Sequence, residues 1–179
     1  MRAARPCPAA ALSAAMVAAL VLGAGTGPAP AGGSPAGAEA LATYSQSSGS
    51  LPPAHAWQLD VTIAQGGTLA LRFCRGYRTE GPACHAATAV PDPGRVDAIL
   101  RAARASGLAA DPARRLEDAA IPVGGPTRQG TVRLDGAVLD LPAFPRPEDA
   151  PRVAAVLDAI AAAIPAALLA EAEAAARAP

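Results

Sequence analysis

The chain has 179 residues, with 15 Lys plus Arg against 15 Asp plus Glu, and every one of its cations is Arg. Zero net charge with no basic block excludes phosphate-backbone recognition, which needs clustered cations. No Arg-rich amphipathic helix marks a membrane-surface protein either. The length is that of one domain, and with aromatics at only 3% its core must rest on a few branched side chains, because Ala buries little area.

Arg2 and Arg5 precede the uncharged apolar run Ala9 to Leu22, and small residues with Gly and Pro follow. Basic, then apolar, then small is the layout of a secretory signal. The run is shorter than the ~20 residues a membrane-spanning helix needs. Two A-x-A signatures, Ala29-Pro30-Ala31 and Ala38-Glu39-Ala40, offer cleavage points, so residues 1–40 are read as signal and processing region. Cys7 leaves with it, and the expected destination is secreted or periplasmic. Cys74 and Cys84 then remain as the only cysteines, and an oxidising compartment pairs them.

Residues 41–55, rich in Ser, Gly and Pro, predict a flexible linker with Tyr44 as a solvated residue within it. The ordered domain is expected over 56–165. Trp57, Leu59, Val61 and Ile63 alternate as in a half-buried strand, and Leu69, Leu71 and Phe73 do so again after Gly66-Gly67. Parity sets their register. Only a three-residue loop at Gln65 to Gly67 pairs Ile63 with Leu69, Val61 with Leu71 and Leu59 with Phe73, which puts both apolar rows on one face.

Asp92-Pro93-Gly94 predicts a helix start, with Asp as N-cap and Pro in the first turn. Val96, Ile99, Leu100 and Ala103 fall at helical spacing, Asp97 and Arg101 are placed for an i,i+4 pair, and Gly107 is the stop. Asp111-Pro112 predicts a further short turn with Arg114, Arg115, Glu117 and Asp118 solvated, and Ile121 to Gln129 reads as loop. Val132 and Leu134, the turn Asp135-Gly136, then Ala137, Leu139 and Leu141 predict a second hairpin, with Leu134 opposite Ala137 and Val132 opposite Leu139. Asp149-Ala150-Pro151 opens the last helix, with Val153, Val156, Leu157, Ile160 and Ile164 as its stripe. After Pro165, residues 166–179 are expected to be an Ala/Glu-rich helical tail, a frayed extension of the domain. The predicted class is α+β: a ββαββα domain whose antiparallel sheet carries two helices on one face.

Chemistry is sparse. Cys74 and Cys84 enclose Arg75 to Ala83, so the disulfide presents a short loop with Tyr77 and Arg78 near its tip. Arg75, Tyr77 and Arg78 are the candidate protein-binding residues, since Arg and aromatic side chains anchor interfaces. Cys74, Cys84 and His85 lack the C-x₂₋₄-C spacing and the fourth ligand of structural zinc. His55 and His85 have no G-x-S-x-G or other placed nucleophile, and neither glycine pair makes a phosphate-binding loop. No catalytic residue, cofactor or metal is assigned.

The first helix ending in ARASGLAADP, the stretch GTVRLDGAVLDLPAF and the closing EDAPRVAAVLDAI resemble, in their layout, the emfourin family of small bacterial inhibitors of thermolysin-type metalloproteases. That resemblance implies an α+β inhibitor and assigns no inhibitory residue; the cysteine pair and export segment are additional to it. The expectation is a secreted non-catalytic binding protein, a protease inhibitor in its sharpest form, acting as a monomer on a protease or other extracytoplasmic protein, with no nucleic acid and, once the signal is removed, no membrane. An envelope-associated module without a tight partner and, last, a small hydrolase are the rivals.

Overall fold

The computed structural model describes residues 39–117, 120–121 and 124–177. The predicted export run, Cys7, Asp118 and the end of the tail lie outside them. Strands β1 (Ala40–Ser47), β2 (Trp57–Ala64), β3 (Leu69–Arg75), β4 (Cys84–Ala89), β5 (Thr127–Leu134) and β6 (Ala137–Leu141) form one sheet in the order β4-β3-β2-β1-β5-β6. Every neighbouring pair is antiparallel. Helices α1 (Pro93–Ala105), α2 (Ala150–Ala162) and α3 (Ala166–Ala175) complete an α+β domain.

Both parity arguments hold. Leu59 faces Phe73, Val61 faces Leu71 and Ile63 faces Leu69, and all six are buried in the core. The three-residue loop is closed by Ala64 N–H donating to Thr68 O at 2.8 Å. Leu134 faces Ala137 and Val132 faces Leu139. Asp135 and Gly136 both take positive φ, 50° and 86°, the two-residue turn whose twist matches the strands it joins. The helices supply Ile99 and Ala103, then Val153, Val156, Leu157 and Ile160, to the same core. Asp92 caps α1 through Gly94 N–H at 2.7 Å, as its sequence requires. Asp97 and Arg101 do not pair; Arg104 reaches Asp135 instead, at 3.3 Å.

The expected linker over 41–55 is the largest correction. Its first half is β1, which lies inside the sheet with β2 on one side and β5 on the other. Ala42 and Tyr44 point into the core and are buried, so Tyr44 is not a solvated residue. On the opposite face Thr43 bonds Thr131 at 2.8 Å, Ser47 bonds Thr127 at 2.8 Å, and Ser45 donates to Asp60 at 2.9 Å. A strand with one solvated face needs apolar residues only at alternate positions, and hydrogen bonding on both edges makes up for weak side-chain propensity. Gly130 fits this arrangement: a Cβ there would lie 2.2 Å from Thr43 O, so no other residue lets β5 approach β1 so closely.

This strand bears on processing. Gln65 N–H donates to Glu39 O at 3.0 Å and the Glu39 carboxylate pairs with Arg133 at 2.8 Å. Cleavage after Ala40 removes those contacts, whereas cleavage after Ala31 leaves them whole.

Two further elements differ from expectation. β4 carries only small residues after Cys84 and His85, so it shows no apolar alternation. The tail is helical but not a frayed extension: Pro165 breaks the chain between α2 and α3, which turn by 79°, and Ala172 of α3 and Ala176 just after it are buried in the core. No single helix among the described residues is long and apolar enough to cross a membrane.

A disulfide-closed loop at one end of the sheet

Cys74 and Cys84 stand directly opposite each other on β3 and β4, and their sulfurs are bonded at 2.11 Å. The loop they close, Arg75 to Ala83, ends in one 3-10 turn, Gly81–Ala83. Three hydrogen bonds brace it. Gly76 N–H donates to Ala56 O at 2.8 Å, Arg72 Nη1 donates to Thr79 O at 3.0 Å, and the Tyr77 hydroxyl donates to Leu51 O. Two of the three run to the β1–β2 connection, so this loop and residues 48–56 form one packed tip. Tyr77 remains 65% exposed even though its hydroxyl is held. It is thus fixed at its polar end while most of the residue stays accessible.

The three candidate residues do not share one surface. Tyr77 leans over Leu51, which is itself exposed. Arg78 is exposed, with its carbonyl 3.8 Å from Cys84 Sγ, beside the start of β4. Arg75 is half-buried on the helix side of the sheet, where it lines a groove of about 260 Å³ with Trp57, Phe73, Glu173 and Arg177. Trp57 and Phe73 stack there with ring centroids 5.9 Å apart. Neither Arg75 nor Arg78 has an ion-pair partner among the described residues, whereas Arg72 on β3 is paired with Asp60 at 3.3 Å. Arg78 thus stands exposed on the loop with Tyr77, while Arg75 faces the groove on the helix side.

Replacing both cysteines by Ala is expected to cost about 2–3 kcal/mol for a loop of this length in the chain-entropy account, read as a lower urea midpoint. Intact mass of the oxidised protein should rise by two hydrogens on reduction; two free thiols in exported material would contradict the pairing.

Two other concavities escaped sequence reasoning. One, about 420 Å³, lies on the helix-free face of the sheet between Thr43, Asp60, Arg115, Thr131 and Asp140. The other, about 440 Å³, opens between α2 and the sheet, with Gln46 and Arg128 among apolar walls such as Pro142, Val153 and Leu157. Beneath it the Tyr44 hydroxyl donates to Gln46 Oε1 at 2.6 Å, and Arg128 pairs with Asp158 at 2.5 Å. Burial pushes the Tyr44 hydroxyl above its ordinary pKa, partly offset by Arg128. The alternation of Ala42, Tyr44 and Gln46 was the one available signal for this network. Of the histidines, His55 is exposed and His85 lies opposite Phe73. Among the described residues no group of three or more His, Cys, Asp or Glu could hold a metal ion.

No protein-family model, curated protein or solved structure matches this chain.

Proposed function

We propose that this chain is a secreted, non-catalytic binding protein whose disulfide-closed loop docks on a partner protein, with proteases as the partner class. The observation that carries this reading is Tyr77: an aromatic residue 65% exposed on a loop already fixed by a disulfide and three hydrogen bonds. A loop held in one shape before binding loses less entropy on association, and aromatic and Arg side chains are the residues that most often anchor an interface. The disulfide is compatible with an extracytoplasmic location. The layout likeness to the emfourin family puts metalloproteases first in the order of trial.

The test is inhibition of a panel of metallo- and serine proteases by the purified oxidised domain. Inhibition reduced about tenfold or more by Tyr77→Ala with Arg78→Ala, matching loss of one anchoring contact, supports the loop as the site. Inhibition that survives the double change moves the site elsewhere. A domain that inhibits no protease and emerges intact leaves an envelope-associated module as the better reading.

A further inference from the structure

The disulfide loop leads directly into β4, an edge strand of the sheet. Which backbone groups of β4 face outward follows from the register. Ala64 N–H bonds Thr68 O at the β2–β3 turn, so the hydrogen-bonded pairs between those strands are the even ones, including Gln58 with Cys74. The N–H and C=O of Cys74 therefore point to β2 and away from β4. Its pairing with Cys84 is of the narrow, non-hydrogen-bonded kind, in keeping with a Cα–Cα distance of 4.0 Å. By alternation His85, Ala87 and Ala89 bond β3, while Cys84, Ala86 and Thr88 direct their N–H and C=O groups outward. The Cys84 N–H is taken by Gly81 O in the 3-10 turn; the outward groups of Ala86 and Thr88 have no partner among the described residues, and both residues are exposed.

Such an edge invites another strand, and proteins usually blunt it with charge, proline or a bulge. The strand Cys84–Ala89, Cys-His-Ala-Ala-Thr-Ala, has none of these: no Lys, Arg, Asp, Glu or Pro, and an unbroken register with β3. The opposite edge, β6, is guarded by Asp140 and followed at once by Pro142. The bare edge is also tied to β3 at its first residue by the disulfide. Its two ends differ chemically. Arg78, unpaired among the described residues, stands beside Cys84. Val90, 80% exposed and the most exposed large apolar residue described, follows Ala89.

We propose that the β4 edge takes up an extended segment of the partner protein as a seventh, antiparallel strand. Main-chain hydrogen bonds to Ala86 and Thr88 hold the segment, an apolar side chain near its N-terminal end covers Val90, and a carboxylate near its C-terminal end meets Arg78. This is strand addition, in which backbone bonding gives affinity and the ends give specificity. The small Ala and Thr side chains along the edge make it tolerant of sequence between those ends. The proposal rests on the binding-protein reading and extends its contact surface from the loop to the edge.

The probe is a dye-labelled peptide, Val-Thr-Val-Thr-Val-Glu-Glu, added to the oxidised domain, with its Lys-Lys-ending counterpart as control. Amide hydrogen exchange by NMR should slow about tenfold or more at Ala86 and Thr88, and stay unchanged at Ala87, whose N–H is already bonded. The Lys-Lys peptide should bind about tenfold more weakly, the loss of one charge-assisted contact. Ala86→Pro removes an N–H that the sheet does not use, and Thr88→Lys adds the missing edge charge. Both should leave the thermal midpoint near wild type and abolish the protection, read at Thr88 in Ala86→Pro and at Ala86 in Thr88→Lys; either variant, if folded, suffices. Protection elsewhere, no saturable binding up to about 1 mM, or equal binding of both peptides overturns the proposal. Slowed exchange at the same amides on raising protein concentration alone assigns the edge to a second copy and overturns it as well. Protease inhibition lost in Tyr77→Ala/Arg78→Ala but kept in Ala86→Pro leaves the loop reading standing and removes the edge.

Discussion

A chain that starts at Gly49, without β1, is expected to show no cooperative unfolding transition in urea or on heating. β1 is the strand that joins the two halves of the sheet, pairing with β2 through Ala40 to Ser47 and with β5 through Ala42 to Ser47. Without it β4-β3-β2 and β5-β6 become separate ribbons, and a two-stranded ribbon is at best marginal in water. The core also loses Ala42 and Tyr44, both nearly fully buried, and burial of a side chain of Tyr44's size contributes about 1.5–3 kcal/mol. Marginal domains do not survive losses of that kind on top of broken ladders. Tyr44→Phe is the mild counterpart: it keeps the ring and gives up only the hydroxyl bond to Gln46, a change of about 0.5–1.5 kcal/mol. A Gly49-start chain that still melted in one sharp transition near the wild-type midpoint would show β1 to be dispensable.

Asp149→Asn should lower the midpoint at neutral pH by about 5 °C or more, in the range expected when a buried charge network is broken. Asp149 precedes α2, yet its side chain does not cap that helix. It is 2% exposed and accepts from Arg114 N–H at 2.9 Å while pairing with Arg152. Arg152 reaches back to Asp111 at 3.1 Å and Arg114 reaches Glu148 at 3.0 Å. The segment after α1 is thereby clamped to the start of α2, alongside the bridge between Arg115 and Pro145. Arg114, expected to be solvated, is part of that clamp. The Arg114 backbone N–H first, and Arg152 next, hold the Asp149 carboxyl below its ordinary pKa. A depressed folded pKa means stability that is fully present above the ordinary aspartate value, about 3.9, and is lost as pH falls through the folded value. The wild-type midpoint should therefore drop as pH is lowered below about 4, with a shallower drop in Asp149→Asn. Parallel curves for the two proteins would remove Asp149 from the acid response.

What could be read from residues alone was whatever parity and punctuation govern. The two hairpin registers follow from where Leu59, Val61 and Ile63 must point relative to Leu69, Leu71 and Phe73, and from Asp135-Gly136 as a turn. The start of α1 follows from Asp92 and Pro93. β1 was hidden because Ser45, Gln46, Ser47 and Thr43 have the composition of a linker, and what makes them a strand is hydrogen bonding to residues far along the chain. β4 and the docking of α3 on the core were hidden because Ala carries almost no periodic signal; their places are set by the disulfide, the β3 ladder and the packing of Ala172 and Ala176. At the loop, exposure of Tyr77 was legible from its position between the cysteines. The separation of Arg75 from Arg78 was not, because it depends on which face of β3 the strand presents as it ends.

The position of β1 also orders events in time. Its contact with β2 spans 15 residues at Ser45 and Asp60, but its contact with β5 spans 88 at Thr43 and Thr131. Closing so long a loop is entropically slow, and non-local strand pairing is the step that limits folding in such topologies. A chain that emerges N-terminus first can assemble β1 to β4 and then must wait, with the hydroxyl-lined edge of β1 open, until residues 127–134 arrive. During that interval the β5 of a neighbouring chain fits the gap as well as its own, so dilution and rapid delivery of the C-terminal third decide whether this fold closes on itself or exchanges its last strands with another copy.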